Sequence, residues 1–233
     1  MSSKRGVIRT DATRRKTETS LRDPGAMSGL LTGVSFIGGV GGAVALADSP
    51  YPRPGSEPAE IRRYFTENSR SARLSAAGQL ISAVSLARFT VSVARLAERS
   101  GRGSRGLRTA AVAGGGLATA SLATSALCTL ALSGRWGKDD DSAAALARQA
   151  FVAGGPVHGV GFGVLTGVRA LAGLRTGELP RPVAIAGLVS AASGLLSPLY
   201  FVKESAGWFI PVGRFSGLLV GGIAGVRLGR RPG

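Results

Sequence analysis

The chain has 233 residues, is 44% hydrophobic and carries a formal net charge of +16. That length fits either one soluble domain or a compact set of membrane spans. The charges, however, fall in short segments between long stretches almost free of them, which excludes the one-sided apolar stripes of soluble helices. The same punctuated spacing removes nucleic acid as a partner, because that needs basic groups gathered on one folded surface.

In chain order, the first 26 residues are polar and basic with little to bury. They are predicted to be a disordered cytoplasmic tail attracted to anionic lipid. About 20 apolar residues are needed to cross the hydrocarbon core, and six windows meet that length. They run from Met27 to Ala47, Leu74 to Leu96, Thr109 to Ser133, Phe151 to Leu174, Val183 to Val202 and Ala206 to Leu228. The predicted fold is therefore all-α, a polytopic transmembrane bundle of six spans with both ends in the cytoplasm and a short cytoplasmic tail over 229–233. Ala45-Leu46-Ala47 resembles a signal peptidase site, but the full length of the first span favours an uncleaved anchor.

The outer loop over 48–73 opens with Pro50, Pro52 and Pro54. Ser56-Glu57-Pro58-Ala59-Glu60 then reads as a helix start with Ser56 as its cap. Ile61, Tyr64 and Phe65 share one face of this helix, which is expected to lie along the membrane surface. Cys128, the one cysteine, excludes an intrachain disulfide and reads as a small buried side chain. Asp139, Asp140 and Asp141 suggest favourable charge at the start of a helix rather than a cation site, since adjacent aspartates on a helix point apart.

Charge sets the orientation, because cytoplasmic loops concentrate Lys and Arg. With the N-terminus inside, the inner segments hold eighteen basic residues, including Arg95, Arg169 and Arg175, against five acidic ones. The outer segments hold nine against eight. Most of the positive charge is thereby a topology signal. Trp136, Tyr200 and Trp208 fall at the predicted outer boundary, where half-wet aromatic rings are favoured.

Glycine recurs at every fourth residue in two spans: Gly155, Gly159, Gly163 and Gly167 in the fourth, and Gly213, Gly217, Gly221, Gly225 and Gly229 in the sixth. Such spacing puts a groove on one helix face and lets backbones approach closely. These faces are expected to pack against neighbouring helices of the same chain. A second copy of the chain or another membrane protein is the alternative, alongside membrane lipids as partners.

Ionisable groups within spans are functional candidates because they are costly there. Arg88, His158 and Arg214 are the ones well inside, and no predicted span has an internal Asp or Glu. A carboxylate relay, a bis-histidine haem site, a histidine metal cluster, a phosphate loop and a Ser-His-Asp set all lack residues. No catalytic residue, metal site or cofactor is expected, and the chain does not read as an enzyme. His158 and Arg214 lie about 10 Å below the outer surface at helical rise, with Gln79 similarly shallow. Pro156, Pro198 and Pro211 free backbone carbonyls at the same level. Arg214, His158 and Gln79 are predicted to line a pocket open to the outside, suited to an anionic or carbonyl-bearing ligand. Arg88 reads as a snorkelling or helix-packing side chain.

Asp48-Ser-Pro-Tyr-Pro, then Glu60-Ile-Arg-Arg-Tyr64-Phe65-Thr-Glu-Asn68 before a small-residue span, and Arg175-Thr176-Gly177-Glu178-Leu179-Pro180 before the fifth span, resemble a loose group of uncharacterised actinobacterial multi-pass membrane proteins. The resemblance implies a six-span bundle in a bacterial cytoplasmic membrane and assigns no activity, so it carries over no functional residue. The function expected is binding, assembly or envelope support without catalysis. The alternative is a small transporter or channel using the outer pocket, which requires a polar path continuing inward from Arg214.

Overall fold

The structure is a computed structural model that describes residues 26–137 and 139–229. Most of the predicted N-terminal tail, Lys138 and the last four residues lie outside the described residues. Seven α-helices occur among the described residues: α1 (Ala26–Leu46), α2 (Pro58–Glu67), α3 (Ser69–Glu98), α4 (Ser104–Leu132), α5 (Asp140–Arg175), α6 (Arg181–Leu196) and α7 (Phe209–Gly229). A 3₁₀ turn, Ser197–Phe201, prolongs α6. Five of these elements are long and apolar enough to cross a membrane: Met27–Leu46, Ser69–Glu98, Ser104–Leu132, Asp140–Arg175 and Arg181–Phe201. Large apolar side chains such as Val34, Ile81, Leu127 and Val189 are exposed on their outer faces, the reverse of a soluble bundle.

The long helices form a closed ring. Helix α1 packs on α3, α3 on α4, α4 on α5, α5 on α6, α6 on α7, and α7 returns to α1. One end of the ring is covered by α2 and is called the lid end; the other carries the arginine-rich turns.

Small residues set these crossings, because in lipid, helix association depends on close packing and interhelical hydrogen bonds rather than on burial of apolar surface. A methyl group on Gly78 of α3 would lie 2.6 Å from Gly39 Cα and 2.7 Å from the Ser35 carbonyl oxygen of α1. On Gly161 of α5 it would lie 2.6 Å from Ala118 N and 2.7 Å from Gly114 O of α4. Serines reinforce the crossings by donating to carbonyls of a neighbouring helix: Ser82 Oγ to Thr32 O at 2.9 Å, Ser71 Oγ to Ala43 O at 2.7 Å, and Ser190 Oγ to Gly213 O at 2.7 Å.

The evenly spaced glycines take particular partners. Gly159 and Gly163 face Gly194 and its neighbours on α6, and a methyl on Gly167 would meet Ala191 Cβ at 3.2 Å. Gly155 faces Ile210 of α7 at ordinary contact distance. From the other side, Gly213 approaches Gly194 N, and Gly217 approaches Phe162 and Ser190. The surroundings of Gly221 and Gly225 lie outside the described residues.

Turns follow from local chemistry. Gly101 and Gly103 adopt φ of 85° and 75° between α3 and α4, where a side chain would be strained. After α5, Gly177 has φ of 71°, Leu179 packs into the space beside Gly173, and Glu178 meets Arg99 at 3.4 Å. The Arg175–Pro180 phrase thus folds into one helix-to-helix turn. Asp139 caps α5 by accepting from Ser142 N–H at 2.8 Å, and that bond holds its carboxyl below the usual aspartate range. Asp140 pairs with Arg62 of α2 at 2.6 Å. Among the described residues no cluster of His, Cys, Asp or Glu is arranged to hold a metal.

Three expectations change. Glu57 rather than Ser56 occupies the cap position of α2, with no side-chain capping bond, because Pro58 at the first helical position already fixes the entry. The face of Ile61, Tyr64 and Phe65 packs against protein. It is buried against Ala72, Leu132 and Ala143, so α2 sits on the bundle itself. Arg169, counted among the inner loop charges, is buried within α5 with its guanidinium 5.0 Å from the Phe89 ring centre.

Candidate functional site

Leu86, Phe89 and Val93 of α3 meet Ala111 and Ala118 of α4 and Phe162, Leu165 and Val168 of α5, with Leu218 of α7 packed alongside. This apolar cluster fills the ring towards the arginine-rich end. The lid-end half is different: there the helices surround a cavity of ≈ 1370 Å³. Small residues make the space. Ser71 and Ser75 of α3, Ser125 and Thr129 of α4, and Gly154 and Gly155 of α5 all line it where larger side chains would fill it.

The roof is the α1–α3 connection. Tyr51, Tyr64 and Phe65 form a mutual edge-to-face trio with ring centres 5.2 to 5.7 Å apart, and all three line the cavity. Asn68, buried at the α2–α3 junction, holds this roof. Its Oδ1 accepts from Asp48 N–H at 2.8 Å, and its Nδ2 donates to Ser49 Oγ at 3.0 Å and Tyr64 O at 3.2 Å. The two halves of the loop motif read in the sequence therefore meet each other in space.

Arg214 lies at the deep end of the cavity, and the break in α5 explains its position. Pro156 has no N–H, and the helix passes it through a π turn over Ala153–Val157 in which His158 N–H reaches back five residues to Ala153 O. Gly154 O, the acceptor His158 would use in a regular helix, is released. Arg214 Nη2 donates to it from α7. The Arg214 guanidinium also stacks over Phe36 of α1, 4.7 Å from the ring centre. One side chain thereby joins α1, α5 and α7. Its Nε is buried and has no hydrogen-bond partner.

Gln79 of α3 also lines the cavity. Its Nε2 donates to Ser75 Oγ at 3.3 Å, while Oε1 is buried without a partner. Both residues are only part-buried and line the cavity, so a guanidinium and an amide side chain are offered to one occupant.

Arg214 and Gln79 are thus brought to one cavity, and His158 is not. Its ring is buried, its Nδ1 lies 2.9 Å from Ala118 O, and it stacks on Phe162 at 5.6 Å. Arg88 is exposed on the outer face of α3. Sequence reasoning did not single out Phe36, Gly154 or Asn68 as parts of the site. The Gly154-Gly155-Pro156 run was the available signal for Gly154, since a proline after small residues marks a helix that can release a carbonyl.

No family model, no curated protein and no solved structure matches the chain. What is established is a multi-pass helical membrane protein with five candidate spans.

Proposed function

We propose that this is a non-enzymatic binding protein of a bacterial cytoplasmic membrane, whose lid-end cavity receives an anionic or carbonyl-bearing ligand from the outer side. The observation that carries this reading is that a cationic side chain, Arg214, and an amide, Gln79, both line one cavity of ≈ 1370 Å³. Binding is favoured over transport because inward of Arg214 the ring is filled by the Leu86–Phe89–Phe162–Leu165 cluster. His158 and Arg169 lie against that cluster, on Phe162 and Phe89, but its Leu86, Val93 and Leu165 side chains offer a permeating ion no replacement for its hydration.

Thermal unfolding of the purified protein tests the reading. Across a panel of small carboxylates, inorganic anions and lipids, at least one class is expected to raise the midpoint of wild type and not that of Arg214→Ala. Ligand at a hundredfold its dissociation constant stabilises by about 2.7 kcal/mol, a shift of several degrees. If no class shifts wild type, the cavity is not a binding site.

The same reading places α7 as a sixth span, with both chain ends in the cytoplasm. Its support is the 21-residue length of α7 and the arginine excess at the end opposite the lid. In a Cys128→Ala background, a membrane-impermeant thiol reagent is expected to label Glu57→Cys in intact cells, and Arg102→Cys after permeabilisation alone. The reverse pattern would invert the topology.

A further inference from the structure

The cavity has an apolar side rim as well as a polar deep end. Val44 near the end of α1 is 69% exposed, and Phe201 and Val202 at the end of the α6 extension are 57% and 86% exposed, yet all three line the cavity. Residues that both line a cavity and face outward mark its edge. Here the edge joins the outer half of α1 to the 3₁₀ end of α6, on faces of elements long and apolar enough to lie in lipid. The cavity lining also includes the charged residues Asp48, Arg53 and Arg148.

The volume is also large for a small polar solute. Small-molecule pockets enclose about 300–1,000 Å³, and an inorganic anion on Arg214 would leave most of this space, and its Phe36, Val40 and Phe151 walls, without apolar contact. The deep end asks for a head group with an acidic oxygen to meet the Arg214 guanidinium and a hydrogen-bonding group for the Gln79 amide. The walls ask for an extended apolar body.

We infer that the ligand is an acidic amphiphile, an acyl chain joined to a small head bearing both a carboxylate and a hydrogen-bond donor, which enters sideways from the lipid between Val44 and Phe201. This rests on the proposed binding function and specifies its ligand class. The head sits at Arg214 and Gln79, and the chain lies along the outer half of α1 under the Tyr51–Tyr64–Phe65 roof. The head meets its carboxylate's counter-charge and a second polar group in one step, while the chain never leaves an apolar environment.

The test uses the full chain in nanodiscs of neutral phospholipid, with N-dodecanoylglycine as the probe and N-acetylglycine and dodecanol as controls. A dodecanoylglycine carrying a diazirine at its chain end reports location by crosslinking. Wild type is expected to bind dodecanoylglycine at least tenfold more tightly than either control, with crosslinks on the Val40–Val44 or Phe201–Val202 segments. Because Arg214 also bonds Gly154 O, Arg214→Gln is accompanied by Gln79→Leu, which gives up one bond within its own helix, to Ser75 Oγ. Each is expected to weaken dodecanoylglycine binding at least fivefold, with dodecanol unaffected by Gln79→Leu. Equal binding of acetylglycine and dodecanoylglycine, both lost in Arg214→Gln, would overturn the amphiphile and leave the binding function standing. Dodecanoylglycine binding unchanged in both variants, or crosslinks elsewhere, would overturn the site; absence of dodecanoylglycine binding would overturn the amphiphile, and the binding function falls only if the wider ligand panel also leaves wild type unshifted.

Discussion

Gly194→Ala is expected to lower the thermal midpoint of the detergent-purified protein by several degrees. The added methyl would lie 2.6 Å from Gly159 O and 3.0 Å from Gly163 Cα on α5, while on the opposite flank Gly213 of α7 already approaches Gly194 N. The obstacles are backbone atoms on two helices, so no rotamer change can relieve them and α6 must shift against both neighbours. Overpacking of this kind costs about 1–3 kcal/mol. Gly38→Ala and Gly116→Ala are the controls, because a methyl at either position meets nothing within 4 Å and alanine favours a helix over glycine by about 1 kcal/mol. Their midpoints should stay level or rise. Equal losses at all three positions would mean that helix contact at Gly194 does not limit stability.

Asn68→Ala is expected to open the lid while the ring persists. The substitution removes the acceptor of Asp48 N–H and the donor to Ser49 and Tyr64, and each group left unpaired costs about 1–3 kcal/mol. The ring has its own contacts and does not use these bonds, so the loss is local. Amide hydrogen exchange over residues 48–67 should accelerate tenfold or more, with exchange in α4 and α5 little changed. Uniform acceleration throughout would show that the roof and the ring unfold as one unit.

The sequence exposes some of this architecture and conceals the rest for identifiable reasons. Span positions are legible because length and apolarity are local properties; α3 and α5 simply begin earlier than their apolar windows, since Ser69 and Asp140 start helices in polar surroundings. Arg214 is legible because a cation inside a span is conspicuous in any tertiary arrangement. His158 carries the same signal and is placed elsewhere, because an acceptor supplied by Ala118 from another helix decides where its ring points. Gly39 and Gly78 could not be paired from the sequence: neither belongs to a regular four-residue run, and their meaning lies in a crossing made far along the chain. The α2 face is legible as apolar, but a face suited to lipid and one suited to a protein surface look alike. Cavity volume is hidden most deeply, since it arises from small side chains of five elements that no one-dimensional pattern brings together.

The ring also closes between its first and last members. Helix α1 meets α7 through Phe36 and Arg214, through Gly33 and Leu218, and through Leu30 and Gly222. During synthesis α1 is made well before α7, the helix that seals its open flank. Until α7 is made the ring is therefore an unclosed arc, and Gly154 O lacks its bond from Arg214. The cavity wall is completed by α7, so a closed chamber exists only once that helix has joined the ring, and truncation before Arg214 would leave the chamber open on that side.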